Sequence, residues 1–196
     1  MTITFAIPTT RDALLASLAE FDAQATELWR SFAPAEFFAR PVDGGWSPAQ
    51  NVVHLERGTL PVIWGLKLPK WLLKLLFGRA RTASRSYEEV RDRYRQVLAA
   101  GGGAGPFTPR KKPLPRDPAQ AQAKSLDSWQ RLIPRLSAAT GDWREEDLDR
   151  YRMLHPLLGR LTVREMLYFT LYHLSHHTEI VADRQARAVE KLTAAG

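Results

Sequence analysis

Hydrophobic positions recur along most of the chain with the spacing of one face of an α-helix. In the first periodic segment this spacing runs from Leu14 to Trp29. It predicts a helix that begins after Thr9 or Thr10, either of which is a suitable N-cap, and ends near Phe32. No segment alternates between apolar and polar residues clearly enough to predict a strand, and no internal repeat is found. The pattern therefore predicts an all-α protein.

Two capping boxes mark the starts of further helices. In each, a Ser or Thr is followed three residues later by Gln or Glu, so that the two residues can satisfy each other's backbone N–H groups. The pairs are Ser47 with Gln50 and Thr162 with Glu165. They predict helices that end near residues 65 and 192, and periodicity predicts another long helix over residues 118–139. Together with the first helix, these predict a four-helix bundle.

Residues 66–116 differ from the rest of the chain in charge and composition. This basic window contains 13 Lys and Arg against three acidic residues, a net charge of +10. The remaining residues carry 15 basic and 18 acidic side chains, a net charge of −3, although the whole chain has +7. The window combines an apolar-basic piece, an arginine-rich helix over residues 87–100 and a Gly- and Pro-rich loop. We interpret residues 1–196 as one domain in which this window is a helical insertion between the second and third bundle helices.

The concentrated charge of the basic window leaves several roles open. Binding of an anionic partner, including a nucleic acid, is one of them, because proteins bind nucleic acids through clusters of arginines with interleaved aromatic residues such as tyrosine. The others are a helix face paired with its own glutamates, a membrane-surface segment around Trp71, a lid over the bundle and a dimer contact. Because only one window is basic, a nucleic acid is a disfavoured partner, and a structural lid or interface is favoured.

Cysteine is absent from the chain. This excludes disulfides, cysteine-ligated zinc and a thiol nucleophile supplied by the protein itself. The first residues lack the basic start and the apolar run of a signal peptide, and the most apolar stretch, residues 60–78, is interrupted by Lys and Pro. We therefore expect a cytoplasmic protein without a transmembrane segment.

Three of the five histidines fall within the sequence LYHLSHHTEI, residues 171–180. At about 100° per residue, His173 and His177 lie at the centre of the apolar stripe of the last helix, whereas His176 lies at its edge. Two inward imidazoles one turn apart can direct their nitrogens to one point, which is how helices often hold a metal ion. The alternative is a hydrogen-bonded polar pair in the core, and the spacing alone leaves both open.

His54 stands apart from the other histidines, on the second long helix. Its neighbours on the same helix face are small or polar: Gln50, Asn51, Gly58 and Pro61. Such a face suits the lining of a cavity better than a close-packed core. His54 is therefore either a third metal ligand or part of a polar seam.

The segments GGWSPAQNVVHL and HPLLGRLTVREMLYFTLYHLSHHTEIV together resemble the DinB-like (YfiT-like) family of metal-dependent four-helix-bundle proteins. The shared pattern is a helix start at Trp46 and Ser47, a histidine seven residues beyond that serine, and a late His-x-x-x-His pair. The resemblance covers residues 10–65 and 117–192 and leaves the basic window unmatched. It implies an up-down-down-up bundle.

The resemblance also implies that a divalent metal, commonly zinc or nickel, is held by His54, His173 and His177. Three neutral imidazoles leave an open position on such a metal, where water or a thiol is activated. Some relatives use low-molecular-weight thiols, so the resemblance implies a transferase or hydrolase that acts on a small molecule, with a thiol as a candidate cosubstrate. Relatives often dimerise, which implies a homodimer.

Five further residues are candidates for the second layer or the rim of the metal site: Gln50, Asn51, His155, His176 and Arg184. No general base is apparent, because Glu56 and Glu179 point away from the histidines on their helix faces. Two alternatives to an enzyme stay open. One is a non-catalytic metal-binding or interaction module, and the other is a protein that binds anions or nucleic acid through the basic window.

Overall fold

The computed structural model describes residues 3–42 and 44–194. The helices are α1 (Arg11–Ser31), α2 (Pro34–Phe38), α3 (Pro48–Leu66), α4 (Lys70–Phe77), α5 (Tyr87–Ala99), α6 (Pro118–Gly141), α7 (Glu145–Arg150) and α8 (Val163–Ala194). The strands are β1 (Arg152–His155) and β2 (Gly159–Thr162), and Gly105–Phe107 forms a single 3-10 turn. Within the described residues, no helix combines the length and the apolar character needed to cross a membrane.

The four long helices α1, α3, α6 and α8 form a bundle. Both α1 and α3 pack against α6 and against α8, so α1 and α3 occupy opposite corners. Outside the bundle, α5 packs on α8, and α4 packs against β1. His54 lies on α3, and the three late histidines lie on α8. The contact between these two helices, the α3–α8 seam, is therefore where His54 and the late histidines meet.

The predicted helix starts are confirmed by their hydrogen bonds. Thr10 caps α1 by accepting a backbone N–H at 3.1 Å. Ser47 and Gln50 form both bonds of the capping box at the start of α3, at 3.2 and 3.0 Å. Thr162 and Glu165 do the same for α8, at 3.1 and 2.9 Å. These bonds define where α3 and α8 begin.

A hairpin between α7 and α8 is the part of the fold that the sequence pattern did not predict. Its strands β1 and β2 pair antiparallel, with Met153 opposite Leu161. Met153 and His155 are buried, whereas Leu154 between them is 59% exposed. Gly159 follows the turn with a φ of +76°, a conformation that favours glycine. The expectation of no strand is wrong here, because alternation over four residues is too short to stand out from a helical pattern.

Aromatic side chains fill the core between α1 and α6. Trp29 and Trp129 are completely buried and meet edge to face with ring centroids 5.7 Å apart. Phe21 packs on Trp129 in the same way at 6.2 Å. Replacing one such indole by Ala costs about 3–5 kcal/mol of folding free energy. This packing holds the bundle together on the side opposite the α3–α8 seam.

Ionic and polar contacts tie the basic window to the bundle. Arg85 forms two side-chain hydrogen bonds to Glu165, at 2.8 and 3.1 Å, and its backbone N–H donates to the same carboxylate. Arg95 of α5 donates to the hydroxyl of Tyr172 on α8 at 3.0 Å. Part of the positive charge of the window is thus used in contacts within the fold.

Candidate metal centre

The α3–α8 seam brings three histidines together. Each of His54, His173 and His177 places a ring nitrogen within 4.8 Å of the other two. The Nε2 atoms of His54 and His173 lie 2.9 Å apart, and these two residues are buried, at 3% and 6% exposure. Ligands bound to zinc at about 2.0–2.1 Å are separated by about 2.9–3.4 Å for angles between the octahedral and tetrahedral values. The distance between His54 and His173 therefore fits the donor spacing of a metal site, and His177 places a nitrogen within 4.8 Å of both.

Hydrogen bonds at the second ring nitrogen orient two of the three imidazoles. The Nδ1 atom of His54 lies 3.0 Å from the carbonyl oxygen of Phe107, and Nδ1 of His177 lies 3.0 Å from the side-chain oxygen of Asn51. Both oxygens are acceptors, so each Nδ1 carries the proton and donates it. This leaves the Nε2 lone pair of both rings for a metal, as outer hydrogen bonds do for histidine ligands in general.

Asn51 is itself held in place. Its amide nitrogen donates to the carbonyl oxygens of Ser47 and Trp46, at 3.0 and 3.3 Å. These bonds define which end of the amide faces His177. The indole of Trp46 stacks on His177, with ring centroids 5.6 Å apart and an interplanar angle of 8°. The Trp-Ser segment thus shapes the histidine cluster as well as starting α3.

Burial keeps the three imidazoles neutral. It lowers the pKa of His177 to about 3, and it lowers the pKa of His54 below the usual 6.5. The pKa of His173 is lowered well below this value, first by burial and then by the neighbouring histidines. Neutral imidazole is the form that binds a metal, so the cluster is in its binding form at neutral pH.

An apolar cavity of about 180 Å³ adjoins the cluster. His54 and His173 form part of its wall. The remainder comes from α3, α5, α8, the β1–β2 hairpin and a loop over residues 103–107. Among the described residues, no Asp, Glu, Lys or Arg lines it. A concave apolar space beside a cluster of convergent polar groups is the usual form of a small-molecule site.

The carboxylates considered as general bases lie elsewhere. Glu56 and Glu179 are half-buried, and burial raises the pKa of both. Neither belongs to the histidine cluster, and neither lines the cavity. This agrees with the outward direction that their helix faces predict.

Two of the surrounding candidates lie beside the cluster or the cavity. Asn51 contacts the cluster through His177, and the ring of His155 lines the cavity. His176 is half-buried and stacks on Tyr172, with ring centroids 5.6 Å apart. It is not part of the group of convergent nitrogens.

Gln50 and Arg184 lie away from the cavity. Gln50 is used in the capping box of α3, and its amide nitrogen approaches the carbonyl oxygen of Arg110 at 3.4 Å. The guanidinium of Arg184 fills the space beside the Cα of Gly45. Because neither residue lines the cavity, neither is placed to contact a molecule bound there.

Two features of the site were missed from the sequence. The carbonyl that orients His54 belongs to Phe107, 53 residues further along the chain, and a backbone group leaves no trace in a residue pattern. The other feature is the cavity wall, to which residues 103–107 and the hairpin contribute. His155 was named as a rim candidate, but the other residues of these segments lack helical periodicity, so nothing in the pattern brings them to the histidines.

Comparisons with known proteins agree with this architecture. A protein-family model described as the DinB superfamily matches residues 17–181. Among solved structures, the chain is similar to YfiT from Bacillus subtilis, described as "a probable metal-dependent hydrolase with an unusual four-helix bundle topology". The two are 19% identical with a TM-score of 0.62, over 96% of this chain and 93% of that chain. No curated protein matches the chain. The shared fold confirms the predicted four-helix bundle.

Proposed function

The chain belongs to the DinB superfamily, and on that premise we propose that it is a metal-dependent enzyme acting on a small molecule. His54, His173 and His177 hold one divalent metal ion, with zinc or nickel as the metal. The convergence of three neutral imidazoles beside an apolar cavity supports this most directly.

A divalent metal on three neutral histidines supplies a Lewis acid with an open position that lowers the pKa of a water or a thiol. The chain has no cysteine, and no carboxylate of the described residues lines the cavity. A thiol cosubstrate needs no carboxylate base to be activated, so transfer from a low-molecular-weight thiol is the favoured reaction. Hydrolysis, the activity in the description of YfiT, is the second.

The residues around the histidines have separate tasks. Asn51 and the Phe107 carbonyl hold the protons on Nδ1 of His177 and His54, so that these rings present Nε2. Phe169 stacks on the third ring, that of His173, with centroids 5.3 Å apart and an angle of 20°. The apolar wall excludes water from a bound substrate, which strengthens polar interactions inside the cavity.

We propose in addition that the protein is a cytoplasmic homodimer and that residues 66–116 are an insertion within a single domain. Large apolar side chains are exposed on the end of α3 and on α4, with Trp64 at 60% and Trp71 at 67%. Such a patch on a globular protein usually marks an interaction surface, and a second copy of the chain would cover it. Sedimentation analysis of the parent beside Trp71→Ser tests this, with a monomeric parent as the contrary result.

Cobalt(II) tests the metal proposal, because its visible absorption reports how many ligands surround it. Protein purified without a histidine tag is stripped of metal, loaded with Co²⁺ and titrated with 2-mercaptoethanol. We expect the d–d bands of a four- or five-coordinate ion, and a sulfur-to-cobalt charge-transfer band as the thiol binds. His173→Ala loses both signals, whereas His176→Ala, which removes an imidazole outside the cluster, keeps them.

The same titration separates the enzyme from a non-catalytic module. Cobalt bands that do not respond to thiols or to small anions indicate a closed coordination shell and favour the metal-binding module. No cobalt signal in the parent contradicts the metal site itself.

Anion binding through the basic window is a second candidate. A groove of about 400 Å³ lies between α3, α6 and the Pro-rich residues 109–116. As far as the structure describes the chain, its wall contains one carboxylate, that of Glu56, and five basic side chains, of which Arg110 and Lys112 belong to the basic window and Arg40, Arg57 and Lys124 to the bundle side. Salt-sensitive binding of a labelled DNA duplex, weakened by Arg110→Ala with Lys112→Ala, would support this function. No binding at low salt dismisses nucleic acid as the partner.

A further inference from the structure

His155 sits where strand β1 turns into β2, and its ring closes that turn. The backbone N–H groups of Leu157 and Leu158 both donate to its Nδ1 atom, at 3.2 and 3.0 Å. An atom that accepts these bonds carries no proton, so the proton of the neutral ring is on Nε2. Burial lowers the pKa of His155 to about 4, which keeps the ring neutral at physiological pH.

The Nε2–H group of His155 has no partner in the part of the chain that the structure describes. The residue is only 8% exposed, and its ring packs against Phe169 with centroids 4.1 Å apart. The Nε2 atom is not among the side-chain nitrogens that are shut off from solvent without a partner, so a ligand or a water can reach it. His155 lines the apolar cavity, so an acceptor on a molecule bound there can meet this donor.

The cavity offers few other polar contacts. Within residues 3–42 and 44–194, Tyr94 is the one lining residue besides the histidines with a polar side-chain group, and no charged side chain lines the cavity. His155 and His173 both line this cavity, with the ring of Phe169 in contact with each, so the donor and the proposed metal site border the same space. A charged ligand would lose its hydration there without an ionic partner in the wall, which disfavours anions and cations strongly.

We propose that the cavity binds an uncharged small molecule that is apolar over most of its surface and has one hydrogen-bond acceptor, such as a carbonyl oxygen, which accepts from His155 Nε2. His155 is a specificity-determining residue that orients this molecule toward the histidine cluster. The identity of this molecule as the substrate rests on the proposed metal-dependent function. The preference for a hydrogen-bond acceptor does not rest on that function, because the donor is a side chain of the protein and not a metal.

Three probes of similar shape test the preference: acetophenone, α-methylstyrene, in which a methylene replaces the carbonyl oxygen, and benzoate. Their dissociation constants are measured by ligand-observed NMR on metal-stripped and on metal-loaded protein, with metal content determined separately. The parent binds acetophenone about tenfold more tightly than α-methylstyrene, the difference expected for one hydrogen bond in an apolar site. Benzoate binds most weakly to the metal-stripped protein.

Two substitutions separate the donor from the turn contact. The side-chain oxygen of His155→Asn replaces Nδ1 as the acceptor for the turn, and no donor reaches the position of Nε2. We expect a melting temperature close to that of the parent, unchanged binding of α-methylstyrene and loss of the tenfold preference. His155→Gln restores a donor near the Nε2 position and recovers part of the preference. Tyr94→Phe, the control, removes the hydroxyl group of the cavity wall and keeps the preference for acetophenone.

Four results would contradict the proposed role of His155 in binding. Equal binding of acetophenone and α-methylstyrene by the parent, a preference retained in His155→Asn, or no binding of either probe overturns the inference. So does tighter binding of benzoate by the metal-stripped protein. A preference in a protein that takes up no metal leaves this inference standing while the metal-dependent function fails. One metal per chain without any preference leaves the metal site standing while this inference fails.

Discussion

Asn51 and the carbonyl of Phe107 govern the histidine cluster, although neither would touch the metal. Each accepts the Nδ1 proton of one imidazole at 3.0 Å and so holds that ring in one tautomer and one orientation. Trp46 adds a stacking contact on His177. The rings of the proposed ligands are therefore oriented without a metal, and on this proposal the affinity for a metal depends on residues outside the ligand set.

Replacing Asn51 by Ala removes the acceptor from His177 while the Ser47 cap stays in place. We expect the affinity for zinc to fall by about 10–100-fold, measured by competition with a chromophoric chelator. Gln130→Ala, which removes an exposed amide on α6, is the control and leaves the affinity near that of the parent, because its side chain lies on the surface and outside the cluster. Equal affinities for Asn51→Ala and the parent would show that the hydrogen bond does not orient the ligand.

The pKa of His177 gives the metal-free protein a defined dependence on pH. The folded state holds this ring neutral with a pKa of about 3, whereas the unfolded chain has the ordinary value of 6.5. Between these values the unfolded state binds more protons, so stability is complete above pH 6.5 and decreases as the pH falls. At pH 5 the loss due to His177 is about 2 kcal/mol relative to pH 7 or above.

Urea unfolding of the metal-stripped protein at pH 7 and pH 5 measures this loss. His177→Gln removes the titrating group, so its stability falls by about 2 kcal/mol less than that of the parent over the same interval. Identical losses in the two proteins would mean that burial does not depress the pKa of His177.

At the scale of the elements, the carboxylate of Glu165 connects the basic window to the bundle. It completes the capping box of α8 by accepting from the Thr162 backbone, and it receives three hydrogen bonds from Arg85. Burial alone would raise the pKa of Glu165, but the bonds from Arg85 and Thr162 lower it below its usual value. The side chain of Glu165 thus stabilises both the start of α8 and the position of Arg85, which lies just before α5.

Glu165→Gln keeps the shape of the side chain and removes its charge from the pair with Arg85. We expect a loss of about 2–3 kcal/mol in the free energy of unfolding, somewhat below the cost of breaking a fully buried pair because Arg85 is partly exposed. Urea denaturation measures it. The control is Asp127→Asn, which removes an exposed ion pair with Arg131 on α6 and changes stability by at most about 0.5 kcal/mol. Similar effects of both substitutions would contradict the anchoring role of Glu165.

The elements also show which parts of the structure could be predicted from the sequence. Helix starts at Ser47 and Thr162 depend on partners three residues away, so they are visible in a local pattern. The inward direction of His54, His173 and His177 follows from helical periodicity once a bundle is assumed, and the structure brings these three together. Local signals therefore accounted for the helices of the bundle and for the inward direction of the histidines, whereas the grouping of all three was implied by the family resemblance.

Contacts that depend on the path of a loop could not be predicted in this way. The position of the Phe107 carbonyl at His54 requires the whole course of the basic window between α5 and α6. The role of His155 requires a hairpin whose strands are each four residues long. The basic window, for which the sequence left a lid or an interface as the favoured roles, contributes both a wall of the cavity and the partner of a proposed ligand.

For the whole molecule, the histidine cluster joins helices that are far apart in the sequence. His54 and His173 are separated by 119 residues, and their Nε2 atoms lie 2.9 Å apart. A metal bound at this point would link α3 to α8 across the bundle, and binding to the folded state alone would stabilise the entire fold. The proposed metal site is therefore a property of the complete chain, since neither helix offers the site alone.

The amount of metal per chain tests this site most directly. It is measured by elemental analysis of protein purified without a histidine tag, for the parent, His54→Ala and His173→Ala, with His176→Ala as the control. We expect about one divalent metal ion per chain in the parent and in His176→Ala, and a sharp loss in the other two variants. A parent that takes up no metal when zinc or nickel is supplied, or ligand variants that retain it, would contradict the three-histidine site.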